Sequence, residues 1–139
     1  MITARPTRIN RATTAPRHNL EHYCRDLNGW PRSWMGLEKD LPPGEQLVTL
    51  FRPFLEHLAA SDLSPKTIQK YIDNMWALGG EFIRDLHNDP SLRRRPVDLV
   101  LSRMIEYGGP LLCHDSEDRQ RSFDSTCRKF RRFLDETAR

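Results

Sequence analysis

Leu63-Ser64-Pro65-Lys66-Thr67-Ile68-Gln69-Lys70-Tyr71 opens the longest periodic segment of the chain. Ser64 is a strong N-cap residue, and Pro65 suits the first helical position, where a backbone N–H has no intrahelical acceptor. From there Ile68, Tyr71, Ile72, Met75, Trp76, Gly79, Phe82, Ile83 and Leu86 keep one helical face apolar over about five turns. Asn88-Asp89-Pro90 should end the helix. Gly79-Gly80 weakens it by roughly 1 kcal/mol per residue relative to alanine, which points to close approach of a neighbouring helix or to a bend.

Working outward, a preceding helix is predicted after Leu41-Pro42-Pro43-Gly44, with Glu45 placed well for the helix dipole. Leu47, Leu50, Phe51, Phe54, Leu55 and Leu58 form its apolar stripe, and Pro53 inside the stripe predicts a kink. Downstream, a shorter helix runs from about Pro96 to Tyr107 and ends at Gly108-Gly109-Pro110. A loop through His114 and Asp115 then leads to a fourth helix, from about Ser116 to Thr137. Its apolar face is Phe123, Thr126, Cys127, Phe130, Phe133 and Leu134. No segment alternates as a strand would, and there is no internal repeat. The expectation is an all-α, four-helix bundle over residues 44–137.

Residues 19–43 read as an irregular N-terminal extension. Leu20, Tyr23, Cys24 and Leu27 fall at helical spacing, whereas Trp30 to Leu37 reads as irregular. Two tryptophans here should pack on the bundle, because large aromatics carry much of a core's buried area. Residues 1–18 hold Arg, Thr, Ala and Pro with little core material, and read as a flexible basic arm.

The 139 residues argue for one domain. Hydrophobic residues are 37% and charged residues 29%, with mean hydropathy -0.69, lean but too rich in large apolar side chains for full disorder. No run approaches the roughly 18 apolar residues of a membrane span, and the N-terminus lacks the apolar stretch of a secretory signal. Three cysteines, Cys24, Cys113 and Cys127, are an odd number at unrelated spacings. They fit a reducing, cytoplasmic setting better than a disulfide framework.

Net charge is +3, but four arginines and no acid fall in the first twenty residues, leaving 18 basic against 19 acidic residues beyond them. Only a local patch can therefore favour phosphate. On the fourth helix Arg121, Arg128 and Arg132 fall within about 40° of each other, opposite the apolar face. Ser125, Lys129 and Arg131 flank them. Such a stripe reads either as a DNA-facing surface or as a solvated face with pairs such as Asp124–Arg128 and Arg131–Asp135. Lys66, Lys70 and Asn74, with Thr67 beside them, offer a matching surface early in the second helix, where the N–H groups near Ser64 also suit a phosphate. Arg93-Arg94-Arg95 reads as a phosphate contact or as loop solvation.

The Leu63–Tyr71 segment resembles the "glS-x-x-T-i-x-x-Y" signature of the core-binding domain of tyrosine recombinases (phage integrases). Phe51 to Leu58 resembles that domain's "F-x-x-y-L" first helix, and Phe123 to Leu134 its closing "lr-x-f-y-r-f-L" segment. The likeness spans about residues 44–135. It implies a SAM-like helical bundle that grips one face of duplex DNA, with contacts carried over to Ser64, Lys66, Thr67, Lys70, Arg121, Ser125, Arg128, Lys129 and Arg132. The partners implied are double-stranded DNA and, beside it, a full-length recombinase or a second copy of the chain. Tyr71 matches the signature tyrosine but falls on the core face. The family's C-terminal catalytic domain has no counterpart here, so the chain is expected to be a non-catalytic, stand-alone DNA-binding product of a mobile element. The alternative is a helical protein-interaction module on the same scaffold.

Other chemistries find less support. His22-Tyr23-Cys24-Arg25 matches H-x-x-R but lacks companion residues. Cys113-His114 beside Asp115 superficially suggests a thiol nucleophile, yet adjacent residues rarely point together. The cysteines and histidines lack the paired short spacings of zinc sites, and no glycine-rich phosphate loop is present. Neither a metal nor a cofactor is expected.

Overall fold

The computed structural model describes residues 19–112 and 116–138. Among them every regular element is helical, with no strand. Six α-helices follow one another: α1 (Leu20–Tyr23), α2 (Trp30–Trp34), α3 (Leu41–Ala59), α4 (Pro65–Asn88), α5 (Val97–Met104) and α6 (Glu117–Thr137). Short 3-10 turns at Leu27–Gly29, Glu38–Asp40 and Pro90–Arg94 link them. The basic arm predicted for residues 1–18 and the Cys113-His114-Asp115 loop lie outside the described residues.

The opening motif folds as its chemistry dictates. Ser64 sits extended before α4, its hydroxyl accepts the Thr67 amide at 3.2 Å, and Pro65 is the first helical residue. Ser116 caps α6 in the same way through the Arg119 amide. Three readings differ from expectation, the first being that α5 ends at Met104 and not near Tyr107. Helix α3 begins at Leu41 rather than after Gly44, because both prolines fit the first turn. The Trp30–Trp34 segment, expected to be irregular, is a helix: Ser33 Oγ donates to the Trp30 carbonyl at 2.7 Å, and both tryptophans turn inward four residues apart.

An aromatic chain ties α2, α3 and α6 together. Trp34 meets Phe51 edge-on, and Phe51 and Phe54 flank Phe130 with ring centroids at 5.4 and 5.2 Å. Each such pair contributes about 0.5–1.5 kcal/mol beyond its buried area. The glycine of α4 has its explanation here. A Cβ on Gly79 would lie 2.1 Å from the Trp34 indole, so only glycine lets the ring seat against the helix. The Trp34 indole N–H then donates to the Trp76 carbonyl at 2.9 Å, and the Trp76 indole N–H donates to Ser33 Oγ at 2.9 Å.

A second seam holds the extension by charge. Asp40 has no exposed surface, yet its carboxylate accepts the Gly36 and Leu37 amides at 2.8 and 2.9 Å. It also meets His87 Nε2 of α4 at 2.8 Å and accepts from Arg93 Nη2 at 2.6 Å. Burial opposes ionisation of this carboxyl, but the hydrogen bonds from Arg93, His87 and the two amides win, and hold it well below the usual carboxylate range. Arg93, read from sequence as a phosphate contact or a solvating charge, is instead turned onto Asp40.

Candidate nucleic-acid interface

Helix α6 carries its cations where the fold leaves it uncovered. Phe123, Thr126, Cys127 and Phe130 are buried, so the opposite side of the helix forms an exposed crest. Arg121, Ser125, Arg128 and Arg132 are exposed along it, and Lys129 is half-buried on the flank facing α4. Two contacts set the relation of α4 to α6. The Lys129 ammonium lies 5.6 Å from the centre of the Tyr71 ring. One turn further along α4, Asn74 Nδ2 donates to Thr126 Oγ1 at 2.9 Å, with Ser122 Oγ and the Ser122 carbonyl at 3.2 and 3.3 Å. Residue order runs oppositely on the two helices, so they are antiparallel. Tyr71 thus meets the C-terminal half of α6, whereas Lys66 and Lys70 line the neighbouring groove together with Asp118, Arg119 and Ser122 of its N-terminal half.

Helical spacing groups Asn74 with the solvent-facing lysines. Its amide instead locks the two helices in register, and Thr126, read as part of the apolar stripe, is its buried partner. Thr126 also donates to the Ser122 carbonyl at 3.1 Å, so this buried polar contact is mutually satisfied.

The cations differ in what faces them. Arg121 is held by Asp118 at 2.6 Å in an exposed pair, and Arg131 by Asp135 at 3.4 Å and the Ser102 carbonyl at 3.0 Å. The pairing expected between Asp124 and Arg128 is absent among the described residues. Asp124 Oδ1 accepts the Gly109 amide and the Gln120 side-chain amide at 3.0 and 2.9 Å, which leaves Arg128 beside Gly108 without that acid. Among the described residues Lys66, Lys70, Arg128, Lys129 and Arg132 make no ion pair. Ser64 and Thr67 are occupied in the cap, where the Ser64 hydroxyl also bonds Thr67 Oγ1 at 2.9 Å.

Next to this face runs an open groove of about 1100 Å³. Its charged lining is balanced: Lys66, Lys70 and Arg119 against Asp26, Asp73 and Asp118. Trp76, Ala77 and Leu112 supply its exposed apolar surface, over the buried Trp30 and Phe123. Arg119 escaped the sequence reading because it lies off the stripe of the other arginines; nothing in its spacing marks it. Cys24 also lines the groove. Burial first, then the neighbouring Asp26, push its thiol up to about 12, and burial does the same for Cys127, so neither is a thiolate nucleophile at neutral pH.

Among the described residues no group of three or more His, Cys, Asp or Glu side chains is placed to hold a metal ion, and no helix is long and apolar enough to cross a membrane. Comparison with known protein families, with curated proteins and with solved structures finds no match to this chain.

Proposed function

We propose that this chain is a non-catalytic module that binds double-stranded DNA, in the manner of a stand-alone tyrosine recombinase core-binding domain with a SAM-like helical scaffold. The crest of α6 and the first two turns of α4 form the contact face. One observation supports the reading: Lys66, Lys70, Arg128, Lys129 and Arg132 make no ion pair among the described residues, on two helices that touch through Tyr71 and Lys129. Cations without an ion-pair partner suit phosphates, whose counterions are released on binding. The reading calls for phosphate neutralisation and needs no reacting group.

The test is a fluorescence-anisotropy titration of a labelled duplex at about 50 and 200 mM salt. The Arg128→Ala, Arg132→Ala double variant should bind more weakly, with the slope of log affinity against log salt reduced by about 2. Unchanged affinity and slope, with the circular dichroism intact, would end this mechanism. The charge-balanced groove with the exposed Trp76 at its edge favours a second reading, a helical protein-interaction module. A wild-type protein with no salt-dependent duplex binding would leave that reading standing.

A further inference from the structure

Residues 1–18 carry positive charge of one kind only. Arg5, Arg8, Arg11 and Arg17 stand there with no lysine and no acidic residue, and Thr, Ala and Pro make up most of the sequence between them. The contact face proposed above mixes lysine with arginine; this segment does not. A guanidinium is more weakly hydrated than an ammonium, so it gives up water more readily on entering a confined site. The arginine positions also differ by multiples of three. A strand extended at three residues per turn therefore presents all four side chains on one side, with about 9 Å between neighbours in the run Arg5, Arg8, Arg11.

The structure fixes where this segment joins the body. Asn19 Oδ1 accepts the His22 amide at 3.2 Å, and Leu20 and Cys24 are buried, so α1 is pinned from its first residue. One turn on, about 6 Å along the helix, Tyr23 lines the groove that Lys66 and Lys70 line from α4. The segment therefore starts beside two cations of the proposed face. Fourteen residues separate Arg5 from Asn19, and at about 3.3 Å each they span up to about 46 Å, more than the roughly 34 Å of one duplex turn.

Charge and width select what the segment meets. The groove at its root sets three carboxylates against three cations and offers it no net attraction. A duplex offers phosphate along its whole length. The major groove is about 12 Å wide and takes a helix, whereas the minor groove, about 6 Å, takes a thin extended strand of small residues. Where A·T pairs narrow that groove, its negative potential deepens and draws in arginine.

We propose that residues 5–17 read the minor groove: Arg5, Arg8, Arg11 and Arg17 enter it where A·T pairs narrow it, on duplex flanking the stretch held by α4 and α6. This rests on the duplex-binding reading above, but the resemblance, confined to about residues 44–135, assigns these four arginines nothing.

The test is fluorescence anisotropy of the full chain on three labelled duplexes that share one core and differ in their flanks: an A-tract, G·C pairs, or inosine·C pairs. Inosine lacks the minor-groove amino group of guanine but keeps its major-groove O6 and N7, so it separates the two grooves. The wild type should bind the A-tract and inosine flanks about tenfold more tightly than the G·C flanks. In the Arg5→Ala, Arg8→Ala, Arg11→Ala, Arg17→Ala variant that preference should vanish, and the slope of log affinity against log salt should fall by about 3–4. A wild type that binds inosine and G·C flanks alike overturns the proposal, whatever the variant does. A slope that falls without any flank preference makes the arm a phosphate tracker and overturns the groove assignment. If Arg128→Ala, Arg132→Ala weakens binding and the arm variant does not, the duplex reading stands and this inference fails; a wild type with no salt-dependent binding ends both.

Discussion

At the seam between the N-terminal extension and α4, Arg93 and His87 close on a carboxylate that water does not reach; on the crest of α6, Arg128 and Arg132 stand with no described acid against them. The chain has 19 acidic residues, so partners for the crest were available in number. Asp124 is one turn from Arg128, yet its carboxylate is spent on the Gly109 amide and Gln120. The contrast separates two uses of positive charge. At the seam it satisfies a buried acid and joins segments 47 and 53 residues apart; on the crest it remains available to something outside the chain.

The seam is where substitution should do most harm. Asp40→Ala leaves Arg93, His87 and two amides without their acceptor, and should lower stability by about 3–5 kcal/mol in urea denaturation. Its charge also predicts the direction of an acid effect. The folded carboxyl lies below the ordinary 3.8, so the unfolded chain takes up the proton first. Stability is present above 3.8 and drains away as pH falls below it toward the folded value. Urea midpoints measured down an acid series should therefore fall less steeply in Asp40→Asn than in the wild type; parallel slopes would mean that the seam carries no linked proton.

A smaller effect tests whether shape reinforces charge at the same seam. Gly79→Ala raises helix propensity by about 1 kcal/mol, but drives a methyl into the Trp34 indole. The net should be a loss of about 1–3 kcal/mol, read as a lower melting temperature. A gain in stability would show that the ring moves aside freely.

The smallest effect on stability belongs to the crest. The Arg128→Ala, Arg132→Ala protein should unfold within about 0.5 kcal/mol of the wild type, since neither side chain has an ion partner to lose. A large destabilisation would erase the contrast by making these arginines part of the fold.

Local chemistry made much of the helical framework readable. Ser64-Pro65 and the apolar stripes of α3, α4 and α6 each carry their meaning within a few residues, and Gly79-Gly80 announced a close neighbour. The identity of that neighbour was not readable, because Trp34 lies 45 residues earlier and periodicity says nothing about which segments meet. Asp40 was missed for the same reason: in Leu37-Glu38-Lys39-Asp40 it looks like one more solvated charge, and its partners are distant in sequence. The Trp30–Trp34 segment read as irregular because five residues, one of them proline, are too few to show a period. On the candidate face the row of arginines was visible from helical geometry, whereas their freedom from pairing was not. The tempting Asp124–Arg128 spacing gave way to a tertiary contact with Gly109.

All three tryptophans of the chain, Trp30, Trp34 and Trp76, gather where the extension meets α4. Two are shielded and the third is 45% exposed. Ultraviolet emission from this molecule is therefore a site-specific optical gauge: its colour follows the undocking of residues 20–40 and is nearly blind to what happens at the far end of α6. An experimenter who adds a ligand and sees the emission move has learned that this joint has responded, before any label is attached.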